Sequence, residues 1–137
     1  MQSTPPMLLV IGGGAVSVPT LAKLRQIDVL LFVEYGQTET TNSIAYSEAG
    51  ATDEVLTHCM GHFDPHFEFR NANVTHQTCA VDEVGEILGR GPLIFAGCYA
   101  DPDATREAFT TDGWLRTGDL ALHAPMVASC CRGDGKK

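Results

Sequence analysis

The stretch MLLVIGGGAVSVPTLAKLRQIDVLLFVEY, residues 7–35, decides the fold class. It opens with a short apolar run ended by three glycines, which is the pattern of a buried β-strand. The segment SVPTLAKLRQ puts Leu21 and Leu24 on one face and a proline near its start, so we predict a helix capped by Ser17. DVLLFVEY predicts a second strand. Strand, helix and strand form a βαβ unit, and we expect a parallel α/β arrangement at the start of the chain.

The rest of the chain favours short strands over helices. Residues 40–56 are small, polar and acidic, and we predict a loop there. HFEFRNA alternates like a strand from Phe67, and VGEILGRGPL predicts a strand around residues 86–88 with glycines that indicate a bend or bulge. DPDATREAF predicts a short helix capped by Asp101, and GWLRTGD predicts a turn that leads into a brief strand.

Composition restricts the possible partners and the compartment. The 137 residues carry 17 acids and 9 bases, and the net charge of −8 argues against a nucleic-acid backbone or an anionic membrane as partner. No apolar run reaches the roughly 18 residues that span a bilayer. The N-terminus lacks the basic start of a signal peptide, and the five irregularly spaced cysteines include no C-x-x-C. We therefore predict reduced thiols in a cytoplasmic protein.

The glycine-rich segment IGGGAVS lies between the first predicted strand and helix, a geometry that can hold a phosphate. Gly12 and Gly14 match the first two glycines of a dinucleotide fingerprint, and Glu34 stands where an acid that binds ribose is expected. The third glycine position holds Ser17, and a tight turn alone also explains the glycines. A small dinucleotide-binding module is therefore one alternative.

Two further segments contain the groups of a nucleotide site. In YGQTET, the Tyr35 ring can stack on a base and Gly36 allows close approach of a ligand. The Thr38 hydroxyl can bond a phosphate oxygen, and Glu39 can coordinate Mg²⁺. GWLRTGD ends in Asp119, whose carboxylate can accept both hydroxyls of a ribose. Each segment taken alone also fits an ordinary polar turn.

A histidine-rich segment, HCMGHFDPH, raises the possibility of zinc. His58, Cys59, His62 and His66 are spaced as soft ligands can be. No second ligand cluster and no C-x-x-C accompanies them. Scattered loop histidines are the simpler interpretation.

Several motifs in a fixed order resemble the adenylate-forming superfamily, in its acyl-CoA synthetase branch. These are YGQTET, GEILGRGP and DPDATREAFTTDGWLRTGDLA, and IGGGAVS is similar to the family's S-G-G-A-P segment with Val16 in place of proline. GHFDPHFEFR looks like the part that leads into the family's small β-barrel. The resemblance covers residues 10–121 and implies an internal fragment of the large N-terminal domain. The expected fold is α/β, with a partial α/β layer followed by part of a small β-barrel.

The resemblance also implies a chemistry and a role for each motif residue. Family members use ATP, Mg²⁺ and coenzyme A to convert a carboxylic acid, here of the fatty type, into a thioester through an acyl-adenylate. On this pattern Tyr35 stacks on adenine, Thr38 touches the α-phosphate, Glu39 ligates Mg²⁺ and Asp119 holds the ribose. The remaining nucleotide-binding positions are Gly13, Gly14, Ala15 and Gly36.

Some family features are not recognisable in this sequence. These include the Ser/Thr/Gly-rich loop that ends in lysine, the G-R-x-K-D segment and the C-terminal domain with its lysine. We therefore expect a partial AMP-binding domain over residues 1–121 and a divergent, disordered tail over residues 122–137. Alone, the chain is expected to be marginally stable and inactive, and complementary segments of the same enzyme are its expected partners. The second hypothesis is a non-catalytic remnant that does not bind ATP tightly.

Overall fold

A computed structural model describes residues 7–122, which form two β-sheets flanked by short helices. No helix in this range is both long and apolar enough to cross a bilayer. The elements in chain order are β1 Met7–Ile11, α1 Val18–Leu24, β2 Val29–Gly36, a 3-10 turn Thr38–Thr40, β3 Ser43–Tyr46, α2 Asp53–His58, β4 His62–Phe63, β5 Glu68–Ala72, β6 Val84–Arg90, α3 Pro102–Ala108 and β7 Leu115–Leu122.

The first sheet has the strand order β1-β2-β3-β4 and begins with the predicted βαβ unit. β1 and β2 are parallel, in a register that runs from Met7 opposite Val29 to Ile11 opposite Val33. The connecting helix α1 is capped by Ser17, whose side chain accepts the Thr20 N–H at 3.3 Å. β3 and β4 then pair antiparallel, so the sheet is mixed. The α/β start of the chain is confirmed.

The prediction of a loop over residues 40–56 is wrong, because this range contains β3 and most of α2. Ile44 and Ala45 of β3 are fully buried, and Leu56 of α2 is almost so. Thr52 caps α2 through its side chain. Elements this short show no usable periodicity, and they are stabilised by the packing of a few apolar side chains instead.

The second sheet is antiparallel, with the order β5-β6-β7. Strands were predicted at HFEFRNA and VGEILGRGPL, and both are confirmed. The helix α3 is capped as predicted by Asp101, whose Oδ1 accepts the Ala104 N–H at 2.9 Å. Among residues 7–122 these strands form an open sheet and no closed barrel.

A bulge interrupts the pairing of β6 with β7. Glu86 pairs with Leu120 and Leu88 pairs with Arg116, so three residues of β7, TGD, face Ile87 alone. A bulge was predicted from the glycines of β6, and the irregularity does lie at this strand. The extra residues, however, belong to β7.

The placement of GWLRTGD in a turn before a strand is only partly correct. The turn lies earlier, where the Gly113 N–H donates to the Thr110 carbonyl at 3.0 Å. The residues LRTGD are already part of β7. A strand can include them because Gly118 adopts φ 75°, a left-handed conformation that allows the bulge.

Two hydrophobic clusters connect these layers. The first lies between the first sheet and its helices, and its buried members are Val16, Leu21, Leu31, Val33 and Leu56. The second lies between the two sheets, where Ala45, Met60, Ile87 and Ala121 pack with Tyr35, Phe63 and Phe69. This second cluster brings the end of β2 next to β7.

Candidate nucleotide site

The end of β2 meets the bulge of β7 through one side-chain hydrogen bond. The Tyr35 hydroxyl donates to Oδ2 of Asp119 at 2.9 Å, although the two residues are 84 positions apart. Tyr35 is held there by the cluster between the sheets. The structure therefore brings together the predicted base-stacking ring and the predicted ribose-binding carboxylate.

Asp119 is exposed, and the bulge holds its backbone in place. The Gly118 N–H donates to Glu86 Oε1 at 3.1 Å, and the Asp119 N–H donates to Thr117 Oγ1 at 3.1 Å. The Thr117 hydroxyl in turn donates to the Ile87 carbonyl at 2.8 Å. Three hydrogen bonds thus fix the backbone around Asp119. Its side chain is exposed and accepts the hydrogen bond from Tyr35.

Gly36 closes β2 where the chain turns back toward β3. A Cβ at this position would lie 2.5 Å from the Asn42 carbonyl oxygen and 2.6 Å from Ser43 Cα. No side chain fits there, so the turn itself requires glycine. The predicted approach of a ligand to Gly36 stays a prediction.

The 3-10 turn after Gly36 carries Thr38, which is exposed, and Glu39, which is half-buried. The turn ends at Thr40, which is fully buried. Thr40 Oγ1 accepts the Gln37 N–H at 3.0 Å and lies 2.8 Å from the Gln37 carbonyl. Sequence reasoning missed Thr40. Its signal is a hydroxyl three residues after the start of a turn, where it can reach back to the chain.

The glycine-rich segment lies at the same edge of the sheet as Tyr35. β1 and β2 are parallel, so Gly12 follows β1 beside Glu34 of β2. A Cβ at Gly12 would lie 2.7 Å from Glu34 Cγ. The two residues of the dinucleotide alternative are therefore neighbours, and the side chain of Glu34 packs against the glycine.

Beyond Gly12 the segment faces open space. Gly13 has φ 82°, and no atom lies within 4 Å of a Cβ placed at Gly13 or Gly14. Ala15 is exposed. The backbone here is accessible to a ligand at the edge of the sheet that also carries Tyr35.

The oxygen groups at this edge fit a nucleotide with a hard cation. Hydroxyl and carboxylate oxygens such as those of Thr38 and Glu39 are the ligands that Mg²⁺ prefers. Within residues 7–122, no three His, Cys, Asp or Glu side chains are placed to hold a metal ion together. A cation at Glu39 would therefore take its other ligands from phosphate and water, as Mg²⁺ commonly does.

The histidines of the zinc hypothesis are dispersed into separate contacts. His62 Nε2 lies 3.0 Å from Glu48 Oε1, and His66 Nδ1 lies 2.9 Å from Asp64 Oδ1. The backbone hydrogen bond from His66 is the main cause that lowers the pKa of Asp64, and the contact with the His66 ring adds to it. Both contacts lie at the protein surface.

Comparison with known proteins identifies one matching family and relatives with several substrates. A family model described as AMP-binding enzyme matches residues 2–99. The chain is 39% identical over 95 residues to the peroxisomal long chain acyl-CoA synthetase 7 of Arabidopsis thaliana. This match covers 66% of this chain and 13% of that protein. It is 36% identical over 88 residues to luciferin 4-monooxygenase of Photinus pyralis, in a match that covers 64% of this chain and 16% of that protein.

A solved structure agrees with the fold. O-succinylbenzoate coenzyme A synthetase from Bacillus subtilis, in complex with ATP and magnesium ion, superposes with a TM-score of 0.75 at 26% identity. The match covers 90% of this chain and 25% of that one. The chain therefore spans between about an eighth and a quarter of the length of these relatives.

Proposed function

The chain belongs to the AMP-binding enzyme family, and from that membership we propose that it is part of an ATP-dependent ligase that joins a fatty or related carboxylic acid to coenzyme A. The observation that carries the proposal is the contact between Tyr35 and Asp119. Two groups proposed for one nucleotide, a ring for the base and a carboxylate for the ribose, meet at a single place in the fold.

The proposed reaction has two transfers. In the first, a carboxylate oxygen of the acid forms a bond to the α-phosphorus of ATP, and the bond to the bridging oxygen breaks to release pyrophosphate. In the second, the sulfur of coenzyme A forms a bond to the acyl carbon, the bond to the adenylate oxygen breaks, and AMP and the thiol proton leave. Thr38 is proposed to hold the α-phosphate through its hydroxyl during both transfers.

Positioning and charge neutralisation are the contributions proposed for this chain. Tyr35 would fix the base, and Asp119 would accept the hydroxyls of the ribose. Glu39 would hold Mg²⁺, which when bound neutralises phosphate charge next to an acidic protein. Phosphoryl transfer depends mainly on such placement. Gly13, Gly14 and Ala15 would leave room for the adenine and the acyl group.

The fatty nature of the acid and the cytoplasmic location belong to the proposal. The Arabidopsis relative supports a long acyl chain, although its name also says that it is peroxisomal. Luciferin 4-monooxygenase and O-succinylbenzoate coenzyme A synthetase, at 36% and 26% identity, are named for other compounds. Complementary segments of the same enzyme are proposed partners for activity.

The test is calorimetric titration of the purified chain with ATP in the presence of Mg²⁺. We expect binding by the wild type and weakening by Asp119→Ala of roughly 10- to 100-fold, the effect of losing hydrogen bonds to a charged group. The matched control is Asp28→Ala, because Asp28 is exposed and precedes β2 at the opposite end of the strand from Tyr35.

Stable acyl-sulfamoyl-adenosine analogues then test the acid. Tighter binding of the palmitoyl analogue than of a succinylbenzoyl analogue supports the fatty acid, and the reverse order refutes it. No binding of ATP by the wild-type chain would favour the non-catalytic remnant. Pyrophosphate exchange by the purified chain alone would show that complementary segments are not needed.

A further inference from the structure

Thr41 has an unusual backbone conformation directly after the turn that carries Thr38 and Glu39. Its φ is 63° with ψ −30°, in a region that a β-branched residue rarely adopts. Its N–H closes the turn by donating to the Thr38 carbonyl at 3.0 Å. A residue persists in such a conformation only when surrounding interactions hold it there.

The Thr41 side chain makes one such interaction with a distant part of the chain. Its hydroxyl donates to the Leu93 carbonyl at 2.6 Å, across 52 positions of sequence. Leu93 lies in GPLIFAG, residues 91–97, which we name the brace segment. This segment runs between β6 and α3 and belongs to neither.

A second hydrogen bond joins the same two parts of the chain. The Phe95 N–H donates to the Glu39 carbonyl at 2.8 Å. The Phe95 ring stacks on Phe109 with ring centres 5.5 Å apart, so the brace segment is also packed against the residue that follows α3. The carbonyl of Glu39 is thus tied to a part of the fold that is anchored elsewhere.

We propose that Thr41 is a positioning residue, whose hydroxyl clamps the brace segment to the turn and thereby fixes the direction of the Glu39 side chain. The strained φ is the consequence of aiming the hydroxyl at Leu93. The clamp itself follows from the two observed hydrogen bonds and does not depend on the proposed function. Only the role of Glu39 as the Mg²⁺ ligand rests on the proposed function.

Three substitutions separate strain, shape and hydrogen bonding at this position. Thr41→Val keeps the branched shape and removes the hydroxyl, whereas Thr41→Ser keeps the hydroxyl. Thr41→Gly relieves the backbone strain and removes the clamp. The matched control is Thr57→Val, because the Thr57 hydroxyl also donates to a backbone carbonyl, that of Asp53 at 2.7 Å, but within α2.

The first readout is amide hydrogen exchange at Phe95, measured by NMR on the full chain. Losing one hydrogen bond of the clamp should speed this exchange by about 5- to 10-fold in Thr41→Val. Thr41→Ser should restore the wild-type rate, Thr41→Gly should behave like Thr41→Val, and Thr57→Val should leave Phe95 unchanged. Unchanged exchange in Thr41→Val overturns the proposal.

The second readout is the NMR order parameter of the Glu39 side chain. If Thr41 only stabilised the fold and did not orient Glu39, this order parameter would be the same in every variant. We expect it to fall in Thr41→Val and to recover in Thr41→Ser. An unchanged order parameter beside faster Phe95 exchange also overturns the proposal, because the clamp would then not reach Glu39.

Titration with ATP at low and high Mg²⁺ separates this inference from the proposed function. We expect Thr41→Val to lose about 10-fold in affinity with Mg²⁺ and little without it, while Thr57→Val matches the wild type. If the wild-type chain binds no ATP, the proposed function fails, and the two NMR readouts still decide the clamp. If it binds ATP and Thr41→Val binds equally well with Mg²⁺, the positioning role is refuted.

Discussion

Single backbone positions set some of the strictest conditions on this fold, and Gly61 is the strictest of them. It is buried between α2 and β4 with φ 91°, and a Cβ there would overlap the carbonyl group of Tyr46 in β3. Two costs therefore combine at this residue. One is the left-handed backbone, and the other is a collision with main chain that cannot rotate away.

Gly61→Ala is accordingly expected to destabilise the chain by more than about 3 kcal/mol, or to prevent folding. Gly50→Ala is the matched control, because Gly50 has φ 76° but open space around its Cβ position. Backbone strain alone should cost it about 1–2 kcal/mol. Urea unfolding followed by the fluorescence of Trp114, the only tryptophan, measures both. Equal losses would show that the collision at Gly61 is relieved at little cost.

Residues whose contacts lie close to them in sequence were predictable. Ser17 and Asp101 cap helices as predicted, because a cap is decided within three residues. Asn71 interrupts an apolar alternation, and only the structure shows why it is tolerated. It is buried in β5, and its Nδ2 donates to the Ala121 carbonyl at 2.8 Å, 50 positions away. The contact of Tyr35 with Asp119 could not be predicted from either segment alone. Only the family resemblance assigned both residues to one nucleotide.

At the scale of elements, the second sheet is held together by a stack of side chains around Trp114. The guanidinium groups of Arg70 and Arg90 lie 4.5 and 4.6 Å from the centre of its ring. Arg70 pairs with Asp112 at 3.0 Å, and Arg90 pairs across the strands with Glu68. The stack joins β5 and β6 to the start of β7, and both of its acids are exposed to solvent.

Acid should therefore weaken this sheet. The hydrogen bond from Arg90 lowers the pKa of Glu68 below its ordinary 4.5. The pKa of Asp112 is lowered below 3.8 by hydrogen bonds, first from Thr110, then from its own backbone N–H and from Arg70. A carboxylate with a depressed folded pKa contributes stability that is present above its unfolded value and lost as pH falls through the folded value. We expect the urea midpoint to be constant down to about pH 5 and to fall below about pH 4.5.

Glu68→Gln should lower the midpoint at pH 6 and flatten its fall in acid, since the variant has less stability to lose. The control is Glu107→Gln on α3, an exposed acid that forms no ion pair with the described residues. It should leave the acid slope unchanged. An acid slope that is the same in Glu68→Gln and wild type would mean that other carboxylates cause the loss.

Element prediction succeeded where the signal was local and failed where it was tertiary. β1 was predicted with its observed limits, because an apolar run ended by glycines is explicit in the sequence. β3 and α2 were missed, because residues such as Ile44 and Leu56 are isolated in polar surroundings and become buried only on packing. The bulge that presents Asp119 depends on the pairing of β7 with β6, which no single segment contains.

At the scale of the whole molecule, the part of the first sheet formed by β1 and β2 leaves one face largely uncovered among residues 7–122. Leu9, Ile11, Leu31 and Val33 pack toward the helices. The alternate residues point the other way, where Leu8 pairs with Leu30 in the register of β1 and β2. Leu8 is 57% exposed, and Val10 and Leu30 are each 41% exposed. Contiguous apolar side chains of this kind form a patch that binds apolar molecules.

The double substitution Leu8→Thr and Leu30→Thr should therefore reduce binding of the dye 8-anilinonaphthalene-1-sulfonate by roughly half, since it removes the centre of the patch. Threonine suits a strand, and both side chains are already exposed, so the free energy of unfolding should change by less than about 0.5 kcal/mol per site. Val74→Thr is the control, because Val74 is 97% exposed but stands alone in the turn after β5. If Val74→Thr lowers dye binding as much as the double variant does, exposure of single side chains governs binding, and the uncovered face of the sheet has no special affinity.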